Sequence, residues 1–309
     1  MTFSEITKNE ILTKKDKQPC CLVASLSAFI RSAGTLSVHN GMVGFEVVSE
    51  NVEAIKYYAE IIKNIYGENP TIEVSTKHKK HKLSLISNKS TELLIDLDIL
   101  SADKNGITVN FNVNKYLIEN DCCRQAYVSG AFIGNGSVTV PKDEKNSSTS
   151  YHLEFVFSKY QTALDFSNIL SQNGFMPKYI ERKETHVVYF KNGDEISEIL
   201  FYMGATKACF ELKNIVIKKD IRNGTNRRIN CEMANIDKQV IAGENQVKSI
   251  NIIIDTMGLD KLPLNLQTTA LLRLENPESS LEELSKMSGL TKSCLNHRLR
   301  KLTEIANNL

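Results

Sequence analysis

Leu22-Val23-Ala24-Ser25-Leu26-Ser27-Ala28-Phe29-Ile30-Arg31-Ser32-Ala33-Gly34-Thr35-Leu36 has a counterpart later in the chain, Gln125-Ala126-Tyr127-Val128-Ser129-Gly130-Ala131-Phe132-Ile133-Gly134-Asn135-Gly136-Ser137-Val138. Setting Gly34 on Gly136 aligns Ala24, Ala28 and Ser32 with Ala126, Gly130 and Gly134, a small residue at every fourth position in both. On a helix that spacing forms one stripe. A stripe with almost no side chain lets two helix axes approach more closely than the usual separation of about 8–10 Å. Each helix is expected to stop at its glycine through a left-handed turn and to lead into a β-rich segment. Two such helices predict a duplicated unit whose halves meet along them.

The 309-residue chain has room for two domains and a full core. Its 41% hydrophobic and 24% charged residues are ordinary for a soluble globular protein. No apolar run approaches the ~18 residues needed to span a bilayer. The N-terminus, Met1-Thr2-Phe3-Ser4-Glu5, lacks the basic-then-apolar order of a signal peptide, so a cytoplasmic location without membrane partners is expected. The cysteines (20, 21, 122, 123, 209, 231 and 294) are odd in number and include two adjacent pairs. None forms a C-x-x-C pair, so neither a zinc site nor a disulfide scaffold is indicated and reduced thiols are expected.

Net charge is +2, but its distribution is uneven. Lys77, Lys79, Lys80 and Lys82, with His78 and His81, form one basic run. Lys213, Lys218, Lys219, Arg222, Arg227 and Arg228 form a second, against Asp220. Lys292, Arg298, Arg300 and Lys301 form a third with no acid among them. Any one run reads as a solvated surface, whereas three together point to a binder of phosphate backbones. His78 and His81, without helical context or nearby carboxylates, read as part of an exposed basic loop rather than as metal ligands.

Taken in order, residues 2–15 read as a short amphipathic helix. After the first small-residue helix, Thr35–Asn40 and Met42–Val48 form a hairpin around Asn40-Gly41. A helix capped by Ser49 or Asn51 runs to Gly67, strands follow at Thr71–Ser75 and Leu83–Ser87, and residues 89–100 are helical. Asn105–Asn114 is extended. The second copy repeats this plan: strands Ser137–Val140 and Tyr151–Phe157 around a polar loop from Lys142 to Ser150, then a helix capped by Ser158 that stops at Gly174. A hairpin of Pro177–Arg182 and Thr185–Phe190 and a helix over Asp194–Met203 complete it. Arg222–Arg228 reads as a polar junction and domain boundary, and a helix from about Cys231 to Met257 follows, with Ile236, Val240, Val247, Ile250 and Ile254 on its apolar side.

Leu264–Leu309 then forms a three-helix unit. Its first helix carries Leu266, Ala270, Leu271 and Leu274. Ser280 and Glu283 make a capping box for the second, and the third starts near Thr291 with Leu295, Leu299, Leu302 and Ile305 inward. This is helix-turn-helix spacing, with Lys292, Ser293, Asn296, His297 and Arg300 outward, groups that can meet base edges or lie near them; Arg298 and Lys301 are assigned to phosphate or packing. Lys77, Lys79, Lys80, Lys82, Arg227 and Arg228 are candidate DNA-backbone contacts.

Both small-residue stretches resemble the LAGLIDADG helix of homing endonucleases, at Leu26–Gly34 and Val128–Gly136. In that family the acidic residue before the last glycine ligands the divalent ions that cut DNA. Here those positions hold Ala33, with no ligand atom, and Asn135, a neutral amide; Asp16 and Asp121 lie at the opposite helix ends. Metal-assisted phosphodiester chemistry needs carboxylates, so the resemblance implies the nuclease scaffold with no catalytic residues, no metal and no cofactor. A degenerate two-repeat LAGLIDADG unit followed by a helix-turn-helix resembles the WhiA family of bacterial regulators. Asn226-Arg227-Arg228-Ile229-Asn230, Ala234-Asn235-Ile236 and Asn296-His297-Arg298-Leu299-Arg300-Lys301-Leu302 add to the match.

The resemblance implies an α+β fold: residues 1–222 as the LAGLIDADG-like domain (repeats about 18–118 and 121–222), 223–262 as a linker with a long helix, and 263–309 as the DNA-binding domain. It implies a nucleoid-associated, non-enzymatic regulator of transcription that binds promoter duplexes, with protein partners in transcription, tied to sporulation or to cell division and chromosome segregation. Two other functions stand against it, a protein–protein adaptor in cell division with incidental DNA binding and a metal-dependent nuclease using other residues.

Overall fold

The computed structural model describes residues 1–14, 18–74, 80–104, 106–141 and 150–309. Thr2 and Glu5 form a capping box that starts α1 (Phe3–Leu12). Pro19, tolerated at a first helical position because its missing N–H would be unpaired there, opens α2 (Pro19–Ala33). The first repeat continues with β1 (Gly34–His39), β2 (Met42–Ser49), α3 (Val52–Tyr66), β3 (Thr71–Val74), β4 (His81–Leu85) and α4 (Ser90–Asp96). A short hairpin of β5 (Leu100–Asp103) and β6 (Gly106–Val109) separates the repeats. The second repeat is α5 (Asp121–Asn135), β7 (Gly136–Thr139), β8 (His152–Phe157), α6 (Tyr160–Gln172), β9 (Lys178–Arg182), β10 (Thr185–Phe190) and α7 (Gly193–Tyr202). After it come α8 (Thr206–Thr256), α9 (Leu264–Glu275), α10 (Leu281–Ser288) and α11 (Lys292–Asn307).

The chain divides into two compact units, Met1–Lys219 and Asp220–Leu309. In the first, the repeats share one topology, strand orders β1-β2-β4-β3 and β7-β8-β10-β9, all antiparallel. The buried faces of both sheets, with Phe45, Val47, Leu83 and Leu85 on one and Leu153, Phe155, Val188 and Phe190 on the other, enclose a core built around α2 and α5. Gly130 lies so close to Ser25 that an added Cβ would stand 2.9 Å from its carbonyl carbon. The seam serines are satisfied symmetrically. Ser27 Oγ donates to the Leu97 carbonyl at 2.8 Å, and Ser129, its counterpart, donates to the Met203 carbonyl at 3.2 Å. This is the helix-hairpin-helix-hairpin-helix plan, twice over, of a LAGLIDADG homing-endonuclease-like domain, followed by an all-α region.

Several elements differ from the sequence-based expectation. Gly34 (φ −87°, ψ 152°) and Gly136 (φ −92°, ψ 153°) are extended, not left-handed. Glycine is required there by close approach: a Cβ would sit 2.5 Å from the Ile30 oxygen at Gly34 and 2.7 Å from the Phe132 Cα at Gly136. Asn51, through bonds from the Glu53 and Ala54 N–H groups, caps α3. Ser158 caps nothing, because α6 starts one residue later than expected, after Lys159. The helix expected over 89–100 ends at Asp96, since Asp98 turns into a left-handed conformation (φ 57°) that sends the chain into β5. Arg222–Arg228 is helical, inside α8, which begins at Thr206 rather than near Cys231. The polar loop expected from 142 to 150 lies outside the described residues except for Ser150.

In the second unit, Ile250, Ile253, Leu262, Leu266, Ala270, Leu284, Leu295, Leu299, Leu302 and Ala306 form one core. Ile236, Val240 and Ile254, expected on the apolar side of the long helix, are exposed, as is Leu271 of α9. Periodicity marks an apolar stripe but not how far along a helix anything packs on it.

Candidate nucleic-acid interface

The second unit presents a prepared helix. Ser280 and Glu283 exchange bonds of 3.1 and 2.7 Å to start α10, and Gly289 (φ 66°) stops it in a left-handed turn. Thr291 then caps α11 by accepting from the Cys294 N–H at 3.3 Å. With Leu295, Leu299, Leu302 and Ala306 inward, Ser293, His297 and Arg300 are exposed at i, i+4 and i+7, with Lys301 exposed beside them and Asn296 half-buried at the flank. Glu304, one turn beyond Arg300, is also exposed, so the positive character belongs to the first three turns of the helix. Lys292 pairs with Glu282 at 2.6 Å, an exposed contact that a competing phosphate can displace. Those contacts, with Lys286 as a second partner, hold the Glu282 carboxyl below its usual range. Arg298 is half-buried and donates to the Asn265 carbonyl of α9 at 3.3 Å, a packing contact.

One further residue of this unit holds the helices in place. Arg273 is buried, and its Nη1 donates to the carbonyls of Asn276, Pro277 and Ser279, at 2.7 Å to the last. Burial lowers its pKa from the ordinary guanidinium value. These bonds tie α9 to the connection that leads into α10, and the sequence signal for it is an arginine in an apolar stripe.

In the first unit, Lys77 and Lys79 lie outside the described residues, while Lys80 is exposed. Lys82 pairs with Glu46 at 2.6 Å, and its pKa is raised by that hydrogen bond and by the nearby charges of Glu46 and Glu73. The outward face around Lys82 is therefore charge-balanced. The alternation of β9 and β10 puts Lys178 and Arg182 on the outward face of the second sheet with Tyr189, Glu154 and His152. Glu154 partly offsets Arg182, 3.8 Å away, and is hydrogen-bonded to His152 at 3.0 Å. Neither cation belongs to a conspicuous run in the sequence. Arg227 and Arg228 are exposed on α8, where Arg228 pairs with Glu232 at 3.0 Å.

The two degenerate nuclease positions meet at one end of the seam. An added Cβ on Gly134 would stand 3.4 Å from the Ala33 Cβ. Asn135 donates to the Val156 carbonyl at 3.3 Å. A cleft of about 600 Å³ beside it is lined by Gly134, Asn135, Lys80 and Lys8. Burial lowers the Lys8 pKa to about 8, offset in part by Glu50, and its ammonium lies 5.6 Å from the centre of the Phe132 ring. At the opposite end of the seam the fold gathers Cys20, Cys21, Cys122 and Cys123, a grouping that cysteine spacing did not suggest. Burial pushes the Cys21 and Cys123 thiols up, the latter to about 11, while a hydrogen bond with Cys123 holds Cys20 below its ordinary value.

Three family profiles match in series: the WhiA N-terminal LAGLIDADG-like domain over residues 19–100, the WhiA LAGLIDADG-like domain over 124–222 and the WhiA C-terminal HTH domain over 225–306. A protein of Alkaliphilus oremlandii named "Probable cell division protein WhiA" is 36% identical over 319 residues, covering 100% of this chain and 98% of the relative. The chain belongs to the WhiA family. A WhiA relative of the same name from Clostridium tetani is also 36% identical, over 100% of this chain and 98% of its own length. The crystal structure of full-length DUF199/WhiA from Thermatoga maritima superposes with a TM-score of 0.60 at 24% identity, covering 100% of this chain and 99% of that one. The WhiA helix-turn-helix match includes α9, α10 and all but the last residue of α11, and the two LAGLIDADG-like matches contain, respectively, α2 and most of α5. No helix among the described residues is long and apolar enough to cross a membrane.

Proposed function

We propose that the chain is a sequence-specific regulator of transcription that binds duplex DNA without cutting it. The observation that carries this reading is the exposed row Ser293, His297 and Arg300 on α11, flanked by Lys292, Asn296 and Lys301 and held by a complete apolar core behind it. A helix of that width enters the major groove, where Arg pairs with guanine, Asn with adenine, and Ser and His meet base edges or phosphates. Residues 263–309 act as the reader, 223–262 as the linker, and 1–222 as a platform that adds backbone contacts through Lys80, Lys178 and Arg182. Arg227 and Arg228 extend the positive surface of the linker. The loss of both acids, to Ala33 and Asn135, supports binding without hydrolysis. The names of the relatives point to cell division as the process served, and promoter binding entails a cytoplasmic, nucleoid-associated location. Sporulation and chromosome segregation are the wider roles that family membership suggests.

Fluorescence anisotropy of labelled promoter and scrambled duplexes tests this, using the full chain across a salt series with Mg²⁺ present and a gel to detect cutting. Promoter preference without cleavage is expected, and Arg300→Ala weakens specific binding by ~1–3 kcal/mol. Equal affinity of the variant for its promoter removes Arg300 from the reading surface; metal-dependent nicking overturns the regulatory assignment.

A further inference from the structure

The helices of the seam begin as symmetrically as they end. Cys20 and Cys21 are the second and third residues of α2, and Cys122 and Cys123 hold the same places in α5. The contacts of Gly130 with Ser25 and of Gly134 with Ser32 and Ala33 show that the two helices run in the same direction. Both pairs therefore arrive at one place, and their four Sγ atoms all lie within 4.8 Å of one another. Among the described residues this is the only such group of potential metal ligands found.

We propose that Cys20, Cys21, Cys122 and Cys123 form a structural thiolate site for a divalent cation of the zinc class, clamping the two repeats at the end of the seam remote from Ala33 and Asn135. Zn–S bonds of about 2.3 Å in a tetrahedron put the sulfurs about 3.8 Å apart. The observed spread is wider than that by no more than about an ångström, which side-chain rotation supplies. An all-sulfur donor set selects Zn²⁺ over harder ions such as Mg²⁺. A disulfide uses two sulfurs, whereas four converge here, two from each repeat.

The surroundings suit bound anionic sulfur. The four cysteines lie in the first turns of α2 and α5, and neither N-cap, Gln18 or Asn120, provides a side-chain hydrogen bond to its helix; Gln18 instead accepts from the Cys20 thiol at 3.8 Å, and the positive helix ends favour bound anionic sulfur. An adjoining cleft of about 350 Å³, lined by Cys21, Cys122, Lys14 and Gln125, offers an entry path and a cation to offset the negative tetrathiolate. Each thiol that ligates releases its proton to solvent, so binding strengthens as pH rises.

The test is titration of the reduced, metal-free full chain with Co²⁺ and then Zn²⁺. Thiolate-to-cobalt charge transfer and tetrahedral d–d absorption should saturate at one Co²⁺ per chain and bleach with Zn²⁺, and Zn²⁺ should raise the unfolding temperature. Cys20 and Cys122 are exposed, so the double variant Cys20→Ser/Cys122→Ser removes two ligands without opening the core; it should lose the tetrathiolate spectrum, while Cys231→Ser/Cys294→Ser keeps it. Absence of the spectrum from the reduced parent chain overturns the site, as does a spectrum that survives in the first double variant. Formation of a Cys–Cys crosslink with oxidised glutathione, without metal uptake by the reduced chain, assigns the cluster to redox pairing and also overturns it. These readouts are independent of DNA binding.

Discussion

Replacing Gly130 by alanine probes the feature on which the first unit depends, the close approach of α2 and α5. In an ordinary helix interior this substitution is favourable by about 0.8–1 kcal/mol, because alanine surrenders less backbone entropy. Here the new Cβ meets the Ser25 backbone, 2.9 Å from its carbonyl carbon and 3.0 Å from its Cα, with the carbonyl oxygen nearer still. Backbone cannot rotate aside as a side chain can, so α2 must shift off α5. A gap of about 0.5–1 Å forfeits a quarter to a half of each contact's dispersion well. The contacts at risk include those of Leu26, Phe29, Val128 and Phe132, all fully buried. Overpacking of this kind costs ~1–3 kcal/mol and occasionally more; at the upper end, less the helix-propensity gain, the net loss is about 2 kcal/mol. For a unit of this size that lowers Tm by about 4–8 °C. Thermal unfolding followed by circular dichroism reads the shift. Gly224→Ala is the control, since Gly224 lies in exposed α8 with nothing within 4 Å of an added Cβ, and should stabilise by at most ~1 kcal/mol. A Gly130→Ala protein as stable as its parent would falsify the close-packed seam.

Arg31 pairs with Asp98 at 3.2 Å, with side chains only 4% and 10% exposed, and Asp98 also accepts from Asn110 Nδ2 and the Asn114 N–H. Asp98→Ala leaves the buried guanidinium without its counter-ion, and urea denaturation should show a loss of about 3–5 kcal/mol. Arg273→Ala exposes three carbonyls to an unfilled space and should destabilise the second unit by about 2–4 kcal/mol, measured by hydrogen exchange across α9–α11. Lys8 has its folded pKa lowered to about 8, so between there and about 10.4 the unfolded chain holds more protons and stability rises with pH. Lys8→Met should be more stable than the parent at pH 7 and should lose that rise; parallel pH profiles for both proteins would show that Lys8 carries no such penalty.

Much of this protein follows from local chemistry visible in one dimension. The repeated small residues at every fourth position specify a close helix pair; Asn40-Gly41 closes the first hairpin; and Ser280 with Glu283 starts α10. These signals are legible because each acts within a few residues of itself. The outward row of α11 follows in the same way from the helical period once Leu295, Leu299 and Leu302 are taken as core.

Tertiary structure decided what depends on neighbours far away in sequence. Gly34 and Gly136 are extended, and their need for glycine comes from Ile30 and Phe132, a crowding that turn propensity does not describe. Lys82 belongs to a basic run in the sequence, yet Glu46 on the adjacent strand pairs with it, whereas Lys178 and Arg182, outside any such run, share an outward face. The residues 222–228 looked like a break because they are polar, but a helix bathed in solvent is polar as well, and only the backbone distinguishes the two. The four cysteines show the limit most clearly. Sequence spacing reveals ligand pairs within one segment, but these pairs stand 102 residues apart, Cys20 to Cys122, and become neighbours only because two duplicated helices pack side by side in the same direction.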